Sequence, residues 1–305
     1  MRIQLIALTW AICAAAVAVA TTPAHAQYWG LQAPGRALSG MGVVAYQTRD
    51  WVQCNGQEQG PPQRAIAACG RIIGERSSRE TTASAHYYRS VLYRQAGDTA
   101  RADADVERAI TLLTGVLQSE PDDSDSLNNL IFLRIQRRDF SAAAMDYSRL
   151  AALRPQSAEP RIHQGEFHFR AADYISAISA FDMAAHIDPA NAQAQSGRCE
   201  ARAAANRELE VAQQACAEAV RLSNGSSAAL FSQGFLYFKQ GDVEGALGEF
   251  ESAMQQDNTN PFAAYGYAIA NLRLGRHEAR ASELLTSVSS DVPEVAMYGA
   301  AGLTR

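Results

Sequence analysis

A pattern that returns about every 34 residues is the feature that most constrains how this 305-residue chain can fold. The clearest copy covers Ser227–Asn260, where Leu230, Gly234 and Tyr237 follow each other at steps of four and three residues. That spacing places the three residues on one face of a helix. A unit of this length cannot bury its apolar face alone, so neighbouring copies must stack. The period therefore predicts an extended binding surface and leaves its ligand open.

Each copy contains two helical halves joined by a tight turn. In the clearest copy, Gly241 and Asp242 end the first helix and begin the second, because glycine readily adopts the left-handed conformation that closes a helix. On the second helix, Ala246 and Phe250 lie on one apolar face. We expect the small residues Gly234 and Ala246 to let the two helices cross closely, while Phe250 fills the wedge between them.

Looser copies of the pattern fill most of the chain. The predicted array covers residues 48–290 and opens with a degenerate copy, after which the copies are 83–116, 124–157, 158–191, 193–226, 227–260 and 261–294. Between the first two full copies there are about seven extra residues, which is close to two helical turns. An insertion of that length keeps an apolar stripe in phase, so it predicts one long helix from about Thr99 to Gln118.

The residues of these copies resemble tetratricopeptide repeats. That family places bulky, small and aromatic residues on a first helix, and alanine, an aromatic residue, alanine and proline on a second helix. The copy at 158–191 follows the same pattern with Gly165, Tyr174, Phe181 and Pro189. The resemblance covers roughly residues 62–290. It implies an all-α fold, a right-handed α-solenoid of stacked helix-turn-helix repeats, and a function in binding proteins or peptides.

The first 26 residues have the pattern of an export signal. Arg2 precedes the apolar stretch Leu5–Ala20, and Ala24–Ala26 fits the small-x-small pattern of a cleavage site. We therefore expect cleavage after Ala26, and a mature chain that begins at Gln27 in the periplasm or outside the cell. An uncleaved anchor helix is the alternative, but the apolar stretch is short for a membrane span. No integral span is expected in the mature chain.

Four cysteines remain after the signal, and an even number in an oxidising compartment predicts disulfides. Three pairings are open. The sequence-local one, Cys54 with Cys69 and Cys199 with Cys216, is favoured by the shared register of the repeats. Cys69 and Cys216 stand where other copies have the wedge aromatic, and each partner lies about one helix earlier. Reduced thiols buried as small apolar groups are the alternative.

Composition and motifs favour no catalytic site and no cofactor. The net charge is −5 and there is no basic stripe, so no nucleic-acid partner is expected. Lys239 is the only lysine, and it does not follow a glycine-rich phosphate loop. The acidic run Glu120–Asp125 lacks the glycine of a calcium loop and is interpreted as helix capping.

His163, Glu166 and His168 form the only cluster that suggests a metal. On a helix His163 and Glu166 share a face, whereas His168 lies about 140° round from His163. We therefore predict no metal site, and we interpret His168 as a packed ring.

An aromatic stripe on the first helices of the later copies carries the sharpest functional hypothesis. Phe231, Phe235 and Phe238 recur at helical spacing, displaced by about 100° from the stripe of Leu230. The resemblance implies that these positions line an inner, concave face that suits an apolar peptide or an amphipathic helix. The candidate partner-binding residues are Phe132, Ile162, Phe169, Phe231, Phe235, Phe238, Phe262, Tyr265 and Ile269. Packing against neighbouring helices or against the chain's own arm is the alternative.

The two ends of the array lack the repeat pattern. Residues 27–47 show no helical period and are interpreted as an irregular arm. Residues 291–305 are expected to form a capping segment, with a short helix through Val295, Met297, Tyr298 and Leu303. The function predicted for the whole is a non-enzymatic scaffold or adaptor that binds a protein or peptide. A structural component of an envelope or secretion complex is the alternative.

Overall fold

The structure, a computed structural model, describes residues 48–58, 60–292 and 295–304, and its regular structure in these ranges is entirely helical. The helices are α1 Arg49–Cys54, α2 Pro62–Gly74, α3 Arg79–Gln95, α4 Thr99–Ser119, α5 Ser124–Gln136, α6 Phe140–Leu153, α7 Glu159–Arg170, α8 Tyr174–Ile187, α9 Ala192–Ala205, α10 Leu209–Leu222, α11 Ser227–Gln240, α12 Val243–Gln256, α13 Pro261–Arg273, α14 Glu278–Asp291 and α15 Ala296–Ala300. The predicted signal at 1–26 and arm at 27–47 lie outside the described residues.

Helices α1 to α14 pack as seven consecutive pairs, from α1 with α2 to α13 with α14. The second helix of each pair also packs against the first helix of the next pair. First helices of neighbouring pairs contact each other, as α9 does with α7 and α11. This arrangement confirms the all-α solenoid of stacked hairpins. Within the described ranges, no helix combines the length and apolar character that crossing a membrane requires.

Aspartates start the second helices of several pairs. The carboxylates of Asp98, Asp139, Asp173 and Asp242 each accept the backbone N–H of the third residue along. They thereby satisfy an amide that has no partner inside the helix, at the end where negative charge is favourable. Before Asp242, Gly241 closes α11 with φ of +88°, the left-handed conformation predicted for this turn.

The acidic run 120–125 has the capping role expected of it. The carboxylate of Asp123 accepts the backbone N–H groups of Asp125 and Ser126, at 3.0 and 3.3 Å. These are amides of the first turn of α5, which have no acceptor within their own helix.

Aromatic rings on second helices fill the wedge between adjacent first helices. Phe250 of α12 is fully buried. A Cβ atom at Gly234 of α11 would lie 2.7 Å from its ring, and one at Gly266 of α13 would lie equally close. The ring therefore occupies the space that side chains at these two positions would need, and it sits against both first helices. The same relation joins Phe181 of α8 to Gly165 of α7 and Gly197 of α9.

In two pairs a cysteine takes the place of the wedge aromatic. The sulfur atoms of Cys54 in α1 and Cys69 in α2 are within bonding distance, with Cα atoms 4.8 Å apart. Those of Cys199 in α9 and Cys216 in α10 are likewise within bonding distance, with Cα atoms 5.3 Å apart. The geometry is that of the sequence-local pairing, in which each link joins the two helices of one pair.

Helix α4 spans Thr99–Ser119 and is 21 residues long, which confirms the long helix predicted from the seven extra residues. Its buried residues include Val106, Leu113 and Val116. They remain on one face through the added turns, because seven residues are nearly two full turns.

Alanine substitutions at two glycines distinguish the contribution of the wedge to stability from that of helix propensity. We expect Gly234→Ala to lower the free energy of unfolding by about 1–3 kcal/mol, because the new methyl group overpacks the Phe250 ring. Gly248→Ala is the matched control, since Gly248 lies in α12 and a Cβ atom added there would meet nothing within 4 Å. It should raise the free energy of unfolding by about 0.4–1 kcal/mol. Urea unfolding followed by circular dichroism measures both, and equal effects would contradict the wedge.

Candidate functional site

The predicted partner-binding residues all lie on first helices. Phe132 is in α5, Ile162 and Phe169 are in α7, Phe231, Phe235 and Phe238 are in α11, and Phe262, Tyr265 and Ile269 are in α13. Eight of the nine are buried, and Phe132 is half-buried. Their assignment as a partner site stays a prediction. The burial shows that most of this surface is already covered by the chain itself.

A segment from the end of the chain covers the centre of the aromatic stripe. Tyr298 of α15 packs edge to face on Phe231, Phe235 and Phe262, with ring centroids 4.7, 5.3 and 5.5 Å apart. It also contacts Phe169 of α7, at 5.5 Å. Such edge-to-face pairs are favourable beyond the area they bury. One tyrosine ring therefore joins side chains of α7, α11 and α13.

We call residues 295–303 the C-terminal segment. Its buried side chains include Val295, Tyr298 and Leu303, which are at most 1 % exposed. The predicted short helix is present as α15, but its contacts are not limited to the last pair, as a simple end cap would require. The segment extends back along the first helices, because its apolar residues find an aromatic surface there that the repeats leave uncovered.

A buried carboxyl group lies next to the Tyr298 hydroxyl. That hydroxyl donates a hydrogen bond to Glu200 of α9, at 2.5 Å. The Oγ atom of Ser232 in α11 is 2.5 Å from the other carboxyl oxygen and 3.0 Å from the carbonyl oxygen of Ala228. A hydroxyl has one hydrogen, so if Ser232 donates to Ala228 it must accept from a protonated Glu200. The geometry fits a neutral carboxylic acid.

Electrostatics favour the same protonation state. Burial raises the pKa of Glu200 to about 7, against the opposing effect of the hydrogen bonds that Ser232 and Tyr298 make to its ionised form. The charge of Glu166 on α7 raises the pKa further. The carboxylate of Asp182 on α8 forms ion pairs with Arg198 and Arg202 on α9.

Two further side chains hold the backbone of the C-terminal segment. The Lys239 ammonium donates to the carbonyl oxygen of Ala301 at 2.8 Å, and the Tyr265 hydroxyl donates to that of Leu303 at 3.4 Å. Gly302 between them has φ of +100°, and a Cβ atom there would lie 2.6 Å from Lys239 Nζ. The positive φ therefore favours glycine at this position. Sequence reasoning missed both Glu200 and Lys239 as parts of this site.

Glu166 is engaged by its own partners. Its carboxylate accepts from Gln193 at 2.6 Å and is 2.9 Å from Nδ1 of His163. Burial lowers the pKa of His163, but the charge of Glu166 and this hydrogen bond outweigh it, so the net pKa is raised. His168 faces Asp173 instead, at 3.3 Å. In the part of the chain that the structure describes, no three histidine, cysteine, aspartate or glutamate side chains are placed to hold a metal ion.

The inner surface at the start of the array is more open. Tyr87 of α3 and Phe132 of α5 are both half-buried and pack edge to face with ring centroids 5.2 Å apart. Val91 of α3 is half-buried as well. These residues precede the helices that hold Tyr298. The face formed by the first helices therefore has a part covered by the C-terminal segment and an aromatic part that remains accessible.

Stacked helical hairpins with aromatic wedges define an α-solenoid protein. Residues 201–261 match the family model described as "Tetratricopeptide repeat". Together with the seven hairpins and the recurring sequence pattern, this match supports a tetratricopeptide-repeat protein.

A solved structure shares this fold at low sequence identity, and further proteins show weaker similarity. A tetratricopeptide repeat protein from Parabacteroides merdae superposes with a TM-score of 0.60 over 88 % of this chain and 99 % of its own, at 13 % identity. The structure of MamA gives 0.42 over 55 % of this chain and 92 % of its own, at 22 % identity. Intraflagellar transport protein 70B of Bos taurus is 26 % identical over 208 residues, which are 66 % of this chain. The match spans 30 % of the length of that curated relative.

The raised pKa of Glu200 predicts a pH-dependent stability. Below about pH 4.5 both the folded and the unfolded chain hold the proton, and between there and about pH 7 only the folded chain keeps it. The free energy of unfolding of the wild type should therefore fall by about 3 kcal/mol across this range, relative to Glu200→Gln. Glutamine mimics the neutral acid and does not titrate. Urea unfolding at a series of pH values measures the difference.

Glu251→Gln is the control for this experiment, because Glu251 is exposed on α12. It removes one carboxylate without touching the buried site, and its pH profile should follow that of the wild type. A constant difference between the wild type and Glu200→Gln from pH 4.5 to 7 would show that Glu200 is ionised in the folded chain.

Proposed function

We propose that the protein is a non-enzymatic interaction scaffold that binds a peptide or short helix of another protein on the face formed by its first helices. One observation carries this proposal: the face already holds a short helix of the same chain, with Tyr298 buried among Phe231, Phe235 and Phe262. Apolar helices bind to grooves in this way, and buried aromatic anchors supply much of the binding energy.

The open part of the face offers a first contact for the partner. Tyr87 and Phe132 present half-buried rings, and aromatic residues are enriched where proteins bind one another. Burial raises the pKa of Tyr87 to about 12, and a phenol is neutral at physiological pH even at its ordinary pKa of about 10. A neutral aromatic surface of this kind suits an apolar segment better than a charged tail.

We propose further that the protein acts after export, in the periplasm or outside the cell. The export signal predicted at 1–26 supports this location, and so do the two cysteine pairs whose sulfur atoms are within bonding distance. Disulfides persist in oxidising compartments and are rare in the cytosol. Closing loops of 15 and 17 residues would stabilise the fold by roughly 3 kcal/mol each.

Intact-mass spectrometry of the exported protein tests location and oxidation together. We expect the mass of residues 27–305 less four hydrogens, and no reaction with a maleimide until a reductant is added. Reduction and alkylation should then add four labels, at Cys54, Cys69, Cys199 and Cys216. A species that keeps residues 1–26, or that reacts at these cysteines before reduction, would contradict the proposal.

An assembly role is the second candidate, and the outer surface favours it. Met145 of α6 and Ile175 and Met183 of α8 are large apolar side chains that are 66, 52 and 39 % exposed. Exposed apolar side chains on neighbouring second helices could pack against another subunit. Light scattering of the purified mature chain, with and without Met145→Ser and Ile175→Ser, distinguishes a self-associating subunit from a monomeric adaptor.

The partner site is tested by paired surface variants. We expect Tyr87→Ser with Phe132→Ser to weaken partner binding by about 30-fold or more, the cost of losing aromatic anchors worth about 2 kcal/mol. Met145→Ser with Ile175→Ser is the control on the outer surface and should leave binding unchanged. Partners captured by the wild-type chain from its own cell envelope are identified by mass spectrometry and then titrated. Loss of binding only in the outer-surface pair would favour the assembly role.

A further inference from the structure

We infer that the C-terminal segment is an intramolecular ligand of the partner site, and that a partner which binds there replaces it with a short apolar helix carrying a tyrosine. This inference rests on the proposed function, because it concerns the same inner face. It adds the chemistry of the partner and a step of displacement before the partner binds.

The segment is attached to the face as a ligand would be. Helix α15 has five residues, of which Tyr298 is buried while Ala296 and Ala300 are exposed. Val295 before the helix and Leu303 after it are buried as well. A helix this short is not stable on its own in water. The face of α7, α9, α11 and α13 therefore holds the segment in its helical form.

The site recognises a tyrosine in particular. Phe231, Phe235 and Phe262 supply an aromatic pocket for the ring, and Glu200 bonds the hydroxyl at the far end. A phenylalanine would fill the same pocket but would leave Glu200 without that hydrogen bond, and an unpaired buried polar group is costly. The arrangement thus selects an aromatic ring that carries a hydroxyl.

The hydrogen bonds to the backbone of the C-terminal segment do not depend on the sequence of the bound peptide. Lys239 and Tyr265 donate to the backbone carbonyl oxygens of Ala301 and Leu303, which any peptide offers. A partner with an apolar residue three positions before its tyrosine and another five positions after it would reproduce the spacing of Val295, Tyr298 and Leu303. Only the glycine next to Lys239 is a further requirement.

Competition follows from the shared site. When the segment leaves, the aromatic pocket and Glu200 meet water, so the closed form dominates without a partner. The apparent affinity for a partner is then reduced by the fraction of molecules that are open. A change that weakens the segment should therefore strengthen binding of the same sequence supplied as a separate peptide.

Lys239 provides a direct measure of opening, because it is the only lysine of the chain. Its ammonium group is bonded to Ala301 in the closed form, so acylation by an amine reagent should be slow until the segment leaves. The full mature chain is acylated at one fixed pH, and the Lys239 product is quantified by peptide mass spectrometry. In parallel, a fluorescent peptide with the sequence of residues 292–305 is titrated by anisotropy.

Tyr298→Ala should raise the acylation rate of Lys239 about tenfold or more, and bind the peptide about tenfold more tightly than the wild type does. Added peptide should slow the acylation of the variant again. A peptide with alanine at the position of Tyr298 should neither bind the variant more tightly than the wild type nor slow the acylation of Lys239. Protection of Lys239 in Tyr298→Ala, or peptide binding no tighter than to the wild type, would overturn the inference.

Tyr298→Phe keeps the ring and guards against a variant that fails to fold. Loss of the hydroxyl should raise Lys239 acylation by a smaller factor with an unchanged circular dichroism spectrum. Tyr237→Phe is the matched control, because the Tyr237 hydroxyl bonds only to Gln233 among the described contacts, and it should leave acylation unchanged. Equal acylation rates in both phenylalanine variants would overturn the tyrosine-specific part of the site.

Binding of the natural partner distinguishes a failure of this inference from a failure of the proposed function. If a partner lost through Tyr87→Ser with Phe132→Ser binds Tyr298→Ala more tightly than the wild type, both hold. If that partner binds Tyr298→Ala and the wild type equally, the C-terminal segment does not compete with it. The inference then fails while the scaffold function stands.

Discussion

The wedge of Phe250 between Gly234 and Gly266 sets the distance between neighbouring hairpins, and the inner face depends on it. Because neither of these two glycines has a Cβ atom, α11 and α13 can approach the single Phe250 ring from both sides. Phe181 does the same for α7 and α9. Where the aromatic is absent, the sulfur atoms of Cys199 and Cys216 lie within bonding distance between the two helices of the pair. First helices brought this close can present side chains from several repeats to one ligand.

That closeness explains how one tyrosine engages four first helices. Tyr298 contacts Phe169 of α7, Glu200 of α9, Phe231 of α11 and Phe262 of α13. Burial of Glu200 at this site raises its pKa. The carboxyl group in turn accepts a hydrogen bond from the buried Tyr298 hydroxyl. Packing and hydrogen bonding at this site therefore depend on each other.

The features predicted from the sequence are those that arise within one repeat. The Gly234–Phe250 wedge, the aspartate caps, the long α4 and the favoured cysteine pairs all follow from spacings shorter than about 35 residues. The position of the C-terminal segment could not be obtained in this way. Tyr298 and Glu200 are 98 residues apart, and a periodic pattern does not indicate which surface a non-periodic tail will cover. The one available signal was the apolar spacing of Val295, Tyr298 and Leu303.

Hydrogen–deuterium exchange of the full mature chain, read by mass spectrometry over residues 295–303, tests the central claim most directly. We expect slow exchange at Ala301 and Leu303, whose amides donate to the carbonyl oxygens of Met297 and Tyr298. This protection should be lost when a displacing peptide is added. Exchange as fast as in the isolated peptide would contradict it, because the segment would then be free of the inner face. Protection that persists at saturating peptide would equally contradict it, because the segment would then be a fixed part of the fold.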